Sequence, residues 1–262
     1  MFPTRAMTIL GGDSFRDEYS LAFDGTNEYL DCGASTDIAL TTGYGSIGGW
    51  FKPVDDTNSM FIVSRGTGLT SGGNISSGVC GWSFNRYNGN DQLYFDTYYD
   101  DGDGTTTRRS ISEGNLVIGE WYHFVGTREQ SGSDTIHKLY LNGAQIGSDL
   151  TVPSGAGNNL NDDDHNFLIG AKNGGATPMD GNISEIFFYN KVLSASEVAT
   201  IYNGREPYNH KEGIASGNLQ AWWRMGDGLE RGSGTTIHDM SDNSNNGTMT
   251  NMEAVDFNGD TP

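Results

Sequence analysis

The sequence predicts an all-β protein built from two packed antiparallel sheets, and three observations carry that expectation. Apolar and polar residues alternate in short runs over most of the chain, the period of a strand with one buried face. The runs are punctuated by turn signals such as Asn88-Gly89 and Asn142-Gly143, residue types that tolerate the positive φ of tight hairpins. Glycine fills 38 of 262 positions and apolar residues make up 35%, which suits about a dozen short strands better than long helices.

Taken in order, residues 1–18 read as an N-terminal leader. Residues 19–23 alternate, Asp24-Gly25-Thr26-Asn27 turns, and residues 29–32 resume the alternation, which predicts a first hairpin. Strands follow at 47–52 (IGGWFK) and 60–64 (MFIVS); Gly48 and Gly49 in the first mark a bend or a place where another segment comes close. Beyond a Gly/Ser/Thr/Asn-rich loop at 66–78, residues 81–85 and 92–98 form a strand pair joined near Asn88-Gly89-Asn90, and DDGDG at 100–104 makes an acidic turn. The runs 121–125 and 137–141 are the central strand pair, and Asn142-Gly143 folds the chain back at once through 144–146. Trp50, Trp121 and Phe124 sit in alternating strands and read as core anchors. A polar loop at 148–165 leads to strands at 166–170 and 183–189. Ser194 and Glu197 have the spacing of a capping box, and Val198, Ile201 and Tyr202 share one face before Gly204. One short helix is therefore expected near 195–203, plugging an open end of the sandwich.

Charge excludes several partners. The formal net charge is −19, from 15 Lys plus Arg against 34 Asp plus Glu, and such a surface repels a phosphate backbone and an anionic membrane. No segment approaches the length of a membrane-spanning helix. The acidic loops serve either to hold calcium or to keep the protein soluble. Cys32 and Cys80 can pair, but two cysteines are no disulfide framework and leave the redox compartment open. The opening MFPTRAMTILGG has no apolar run of signal-peptide length. The expectation is that work outside a cell would require another route, such as a particle released by lysis.

Five stretches, taken as a set, resemble a known family: SLAFDGTNEYLDCG at 20–33, SIGGWFKP at 46–53, EWYHFVGTRE at 120–129, KLYLNGAQIG at 138–147 and DGNISEIFFYNKVLSASEVATIYNG at 180–204. They resemble the concanavalin A-like jelly roll of the laminin-G-like class, in the version common in bacterial, environmental and phage proteins. The resemblance implies a jelly-roll sandwich of two antiparallel sheets over 19–204. It does not imply one function, because lectins, adhesion modules, virion proteins and glycoside hydrolases share this fold.

The residues point away from an enzyme. Retaining glycosidases need two carboxylates about 5 Å apart, which the glucanase relatives supply as a Glu-x-Asp-x-Glu run. Here Glu113 and Glu120 lie in or beside turns, Glu129 in a loop, Glu185 is isolated, and Asp96 has Tyr94 and Tyr98 as same-face neighbours. His123, His137, His165, His210 and His238 show no metal-ligand spacing, and neither cysteine belongs to a CxxC pair.

Calcium, which takes about six to eight oxygen ligands, has two candidate places. By the resemblance, Asp24 and Asp180 would be side-chain ligands at one edge of the sandwich, with Gly25 and nearby carbonyls completing the shell; otherwise both are ordinary Asp-Gly turns. The second place, Asp96, Asp100, Asp101 and Asp103, resembles part of the legume-lectin metal loop, but Tyr94 stands where that family has a metal-binding Glu and no suitable His follows. For a sugar, Trp82, Tyr87, Asn88, Tyr98 and Tyr99 combine rings with polar groups along one loop region; ligand contact, protein interface and plain packing remain open for them.

The segment 205–262 reads as a β extension. Residues 219–225 (LQAWWRM) form a strand, 235–252 resemble the stretch that precedes many such jelly rolls, and VDFNG at 255–259 echoes LAFDG at 21–25. Alone it would leave Trp222, Trp223 and Met225 exposed, so these are interface candidates that dock on the main domain or on a neighbouring subunit. The functional expectation is a non-catalytic virion structural protein (capsid decoration, tail or fibre component). It would sit in the virion as a homo-oligomer with other virion or surface subunits, and contact host or environmental glycans. The alternative is a free calcium-dependent carbohydrate-binding lectin or adhesion module, extracellular or at a cell surface. A glycoside hydrolase ranks behind both.

Overall fold

The computed structural model describes residues 15–40, 43–67, 80–100, 106–153, 160, 162, 164–172, 174–206 and 208–262. Two antiparallel sheets face each other. The first runs β10 (Ala144–Val152), β9 (Asp134–Leu141), β8 (Tyr122–Ser131), β3 (Gly45–Pro53), β12 (Asp180–Tyr189), β1 (Ser20–Asp24) and β16 (Phe257–Asn258). In this sheet β13 (Leu219–Trp223) pairs with β12 beyond the end of β1. The second sheet runs β14 (Thr236–Ile237), β15 (Gly247–Thr250), β2 (Tyr29–Asp31), β11 (Phe167–Ile169), β4 (Met60–Thr67), β5 (Cys80–Arg86), β6 (Leu93–Asp100) and β7 (Thr106–Glu113).

Strand alternation builds the core between the sheets. Phe51, Phe124, Ile183 and Ile186 point inward from the first sheet and meet Trp82, Phe84, Phe95 and Phe167 from the second. The Phe84 ring joins the layers, with centroids 4.5 Å from Phe95 and 4.9 Å from Phe124. The opposite alternation sends Val125, Phe187 and Tyr189 to the outer face of the first sheet. There a second apolar layer forms with Val198, Ile201 and Trp222.

The helix α1 (Ala195–Tyr202) has its capping box in full, the Ser194 hydroxyl on the Glu197 N–H and the Glu197 carboxylate on the Ser194 N–H. It covers this outer face instead of an open end, and its Tyr202 ring lies 5.7 Å from Trp50 and 5.8 Å from His123. A second buried layer needs a cover, and the helix supplies it. A close approach also falls where Gly48 predicts one: a Cβ there would stand 2.5 Å from the Phe187 ring.

The β9–β10 hairpin forms as expected, with φ of 49° at Asn142 and 79° at Gly143, the two positive values a type I′ turn demands. Strand β10 runs to Val152, past a bulge between Ile146 and Leu150. The first hairpin does not form. β1 pairs with β12 and β16, whereas β2 pairs with β11 and β15 in the other sheet. Residues 25–28 carry the chain over the sandwich edge, so that Leu21 and Phe23 enter the core from one side and Leu30 from the other.

Within 205–262, β13 and β16 join the first sheet and β14 and β15 the second. Of the two places open to Trp222, Trp223 and Met225, the main domain or a neighbouring subunit, the structure has the first: all three are buried within this chain. Consecutive strand residues point to opposite faces. Trp223 therefore enters the inter-sheet core, 5.1 Å from the Phe167 ring, and Trp222 the outer layer, 5.7 Å from Phe15 and 5.1 Å from His210. The segment that echoes β1 pairs with it: Ser20 lies opposite Asn258 and Leu21 opposite Phe257. Cys32 and Cys80 are free thiols, both buried.

Candidate functional site

The outer face of the second sheet carries polar rows set by strand register. Asn85 lies opposite Tyr94 and Tyr94 opposite Ser112; in the next row Ser83 faces Asp96 and Asp96 faces Ser110. Asp96 is fully buried, and its carboxylate accepts hydrogen bonds from Asn85 Nδ2 at 3.1 Å, Tyr87 Oη and Ser110 Oγ, with Arg108 Nε at 3.5 Å. Burial, then the Asp96 charge, pushes the Tyr87 phenol far above its ordinary range, so it remains the donor. Four donors occupy the oxygens of Asp96, so it serves as an organising anion rather than an open calcium ligand. Asp101 and Asp103 lie outside the described residues, as does the side chain of Asp100.

Around this anchor the surface opens. The Tyr87 and Tyr94 rings lie 4.5 Å apart at 55°, and the Arg108 guanidinium stands 5.1 Å over Tyr87. Asn90 Nδ2 donates to Tyr94 Oη at 2.7 Å, and Tyr94 Oη donates to Gln92 Oε1 at 3.3 Å. The turn that presents Asn88 is held from below: Arg86, buried beneath it, pairs with Asp91 at 3.0 Å, and the Asn88 N–H donates to Ser59 Oγ at 3.0 Å. Gln92 also lines an adjoining groove of about 430 Å³ with Glu113, Asn115, Gln145 and Gly147. Partly open rings beside amides, a guanidinium and a carboxylate can stack on an apolar ring face while bonding its hydroxyls.

The five predicted sugar contacts divide. Tyr87 and Asn88 are at this corner. Trp82 and Tyr99 face inward: the Trp82 Nε1–H donates to Asp162 at 2.7 Å, and Tyr99 Oη meets His137 Nε2 at 2.6 Å. Neither ring can reach a ligand. Tyr98 is on the outer face opposite Arg108 but is fully buried. Tyr94 and Arg108 were missed; the even spacing of Tyr94, Asp96 and Tyr98 was the available signal.

The structure does bring Asp24, Gly25 and Asp180 together. Asp24 lies directly opposite Asp180, and a Cβ on Gly25, at φ 73°, would stand 3.0 Å from the Asp180 side chain. Burial, reinforced by the charges of Asp55 and Asp24, raises the Asp180 carboxyl; Glu28, which accepts from the Asp24 N–H at 2.6 Å, is raised chiefly by burial.

A third acidic place was invisible in sequence. Asp17, Glu185 and Asp227 each offer a carboxylate oxygen, all within 4.8 Å of one another, and the group could coordinate a divalent cation. Glu185 occupies the bulge of β12 between its pairings with β1 and β13, at φ 53°. It accepts from Trp222 Nε1 at 2.5 Å and Arg224 Nε at 2.9 Å, while Asp227 accepts the N–H groups of Glu18 and Tyr19 at 2.7 and 2.8 Å. Burial and the Glu185 charge push Asp17 well above the carboxylate range, and burial raises Glu185.

The architecture and these sites define an all-β, two-sheet jelly-roll sandwich with one short helix. The chain belongs to the concanavalin A-like lectin/glucanases superfamily, whose family model matches residues 24–199. No curated protein matches the chain in sequence. It is similar in structure to a provisionally assigned carbohydrate binding protein from Bacteroides ovatus, with 17% identity and a TM-score of 0.60 over 90% of this chain and 59% of that one. It therefore spans little more than half the length of that relative. It is also similar to the CBM40 of the Ruminococcus gnavus IT-sialidase bound to alpha2,3 sialyllactose, with 19% identity and a TM-score of 0.51 over 70% of this chain and 96% of that one. Among the described residues no helix is long and apolar enough to cross a membrane.

Proposed function

We propose that this chain is a non-catalytic, lectin-type carbohydrate-binding module that works outside the cell or at its surface, and that its ligand contacts the corner made by Tyr87, Tyr94 and Arg108. The observation that carries the reading is the partly exposed Tyr87–Tyr94 ring pair, organised by buried Asp96 and continuous through Gln92 with an amide-lined groove. The superfamily assignment supports it, as do the descriptions of the two structural relatives as a carbohydrate binding protein and a sialyllactose-bound module. Calcium at the Asp24/Asp180 edge or at the Asp17/Glu185/Asp227 group would act structurally, tying the strands each place joins.

The non-catalytic reading rests on how the Asp17/Glu185/Asp227 group is used. Glu185 is 3% exposed and committed to Arg224 and Trp222, and the group holds residues 17–19 against β12 instead of flanking a substrate. Assembly into a virion drew support from bare apolar side chains at 222–225, and their burial within this chain removes that support.

The test is a broad glycan array followed by calorimetry on the best binder. Tyr94→Ala and Tyr87→Ala should each weaken binding by roughly 30-fold, the effect of losing about 2 kcal/mol at an aromatic contact. Wild-type protein that binds no glycan, or Tyr94→Ala protein that binds unchanged, defeats the proposal.

A further inference from the structure

We infer that a groove of about 380 Å³ on the outer face of the first sheet, between strands β8 to β10 and the chain leading into α1, is a second binding site. It takes an amino sugar, with the ammonium on Glu129 and hydroxyls on Tyr140 and Gln145. The Tyr87–Tyr94 corner is on the other sheet, and the groove beside that corner meets this one at Gln145 on edge strand β10. The inference stands whether or not that corner binds sugar.

Strand register sets the floor. Val125, Tyr140 and Gln145 lie side by side across β8, β9 and β10, and Thr127 lies opposite Lys138 in the next row. Alternation puts these rows on the outer face, where Tyr140 packs into the apolar layer with Val125, Leu193 and Val198. The facing wall is fixed. The Ser46 hydroxyl donates to the Lys191 carbonyl at 2.7 Å and accepts the Leu193 N–H at 2.9 Å, Lys191 pairs with Glu197, and the capping box holds Ser194. Val192, Leu193 and Ala195 give that wall its apolar surface.

Tyr140 is the residue that points to a ligand. It is 2% exposed and lines the groove, yet among the described residues its hydroxyl has no hydrogen-bond partner. A buried tyrosine ordinarily finds a partner for its O–H; this one keeps donor and acceptor for the groove. Burial raises the phenol, with the Lys138 charge opposing, so the hydroxyl keeps its proton and can donate it. Asp149 organises the neighbouring groups. It accepts from Gln145 Nε2 at 2.7 Å and pairs with Lys138 Nζ at 3.3 Å, which leaves the Gln145 carbonyl oxygen as an open acceptor. Glu129 is exposed at the other end of the groove, and among the described residues its carboxylate makes no hydrogen bond or ion pair.

These open groups select the ligand. With Lys138 matched by Asp149, Glu129 is the charge left over, in a chain of net charge −19, so the groove favours a cation over an anion. A carboxylate and an ammonium make a charge-assisted hydrogen bond, while a phenol and an amide carbonyl suit hydroxyls. The apolar wall takes the C–H face of a sugar ring. Glu129 and the Tyr140 row are four residues apart along β8, about 13 Å at the usual strand rise. That exceeds one pyranose ring, so the ligand class is a short oligosaccharide with a free primary amine.

The experiment is calorimetry of the full-length protein with the deacetylated chitin disaccharide, buffered to keep its amines protonated. Its N-acetylated form and cellobiose are controls with the same sugar backbone. The amino disaccharide should bind, and both controls should bind roughly 10-fold more weakly or not at all, the effect of losing a charged hydrogen bond. Glu129→Gln should weaken binding roughly 10-fold and Tyr140→Phe roughly 5-fold. The Tyr140 hydroxyl has no partner in the chain to lose, so Tyr140→Phe should keep the wild-type Tm, which separates a lost contact from a lost fold. An amino disaccharide that does not bind, controls that bind equally well, or affinity unchanged in both variants each overturns the proposal. Binding that is lost in Tyr94→Ala and kept in Tyr140→Phe assigns the amino sugar to the other corner and overturns it too.

Discussion

Replacing Trp223 with alanine probes whether residues 205–262 are part of the sandwich or an appendage to it. The Trp223 indole is fully buried, lies 5.1 Å from Phe167 and donates its Nε1–H to the Asn245 carbonyl at 2.7 Å. Truncating a buried aromatic costs about 3–5 kcal/mol, and the orphaned Asn245 carbonyl adds about 1 kcal/mol. The sum, about 5 kcal/mol, is a third or more of the ~5–15 kcal/mol that holds a typical domain together. In a chain of this size each kcal/mol moves Tm by about 2–4 °C, so the expected loss is roughly 10–20 °C. Differential scanning calorimetry over a range of protein concentrations is the assay. Because the tryptophan is buried in its own chain, wild-type Tm should not depend on concentration. A loss under about 3 °C, or a wild-type Tm that climbs steeply with concentration, would refute the reasoning. Truncation after residue 204 removes strands from both sheets and should abolish the cooperative transition.

Two further predictions concern solution conditions. His123 and His137 are held down to about 3 by burial, and His210 well below its ordinary value for the same reason; among the described residues neither ring nitrogen of His123 has a hydrogen-bond partner. These histidines therefore contribute stability that is complete above about pH 6.5 and is lost as pH drops toward 3, opposed by the raised carboxyls of Asp17 and Glu185, which favour the fold as pH drops. Between pH 7 and 5 the urea midpoint of His123→Phe should gain relative to that of wild type, and a difference that does not change with pH would contradict the burial argument. Calcium at 100-fold above its Kd should stabilise by about 2.7 kcal/mol, seen as a rise in Tm that chelation reverses. Loss of the rise in Asp180→Asn assigns the ion to the sandwich edge and loss in Asp227→Asn to the buried group, while a Tm indifferent to both calcium and chelator removes calcium from the account.

The legible part of the candidate site was its turn. Tyr87 and Asn88 border an Asn-Gly signal that any strand reading would place at a surface corner, and that reading is local. Trp82 and Tyr99 have the same composition and nearly the same sequence neighbourhood, yet they face the core, because which alternate residues of β5 and β6 turn inward depends on the packing of the opposite sheet. The Asp17, Glu185 and Asp227 group lies further from view. Its members are separated by most of the chain, and they meet because β12 bulges where its partner changes from β1 to β13.

By itself the sequence determined what short-range physics controls: period-two alternation and hence an all-β sandwich, the Asn142-Gly143 hairpin, and the capped helix from Ser194. Each depends on residues within a turn or two of one another, and the local energies are decisive. Tertiary structure alone decided which sheet each strand joins, sending β1 and β2 apart although a four-residue turn links them. It alone placed α1 on a sheet face and buried Trp222 and Trp223 on opposite sides of one strand. Those outcomes are set by which apolar faces find cover, a sum over contacts between distant segments that no local window contains.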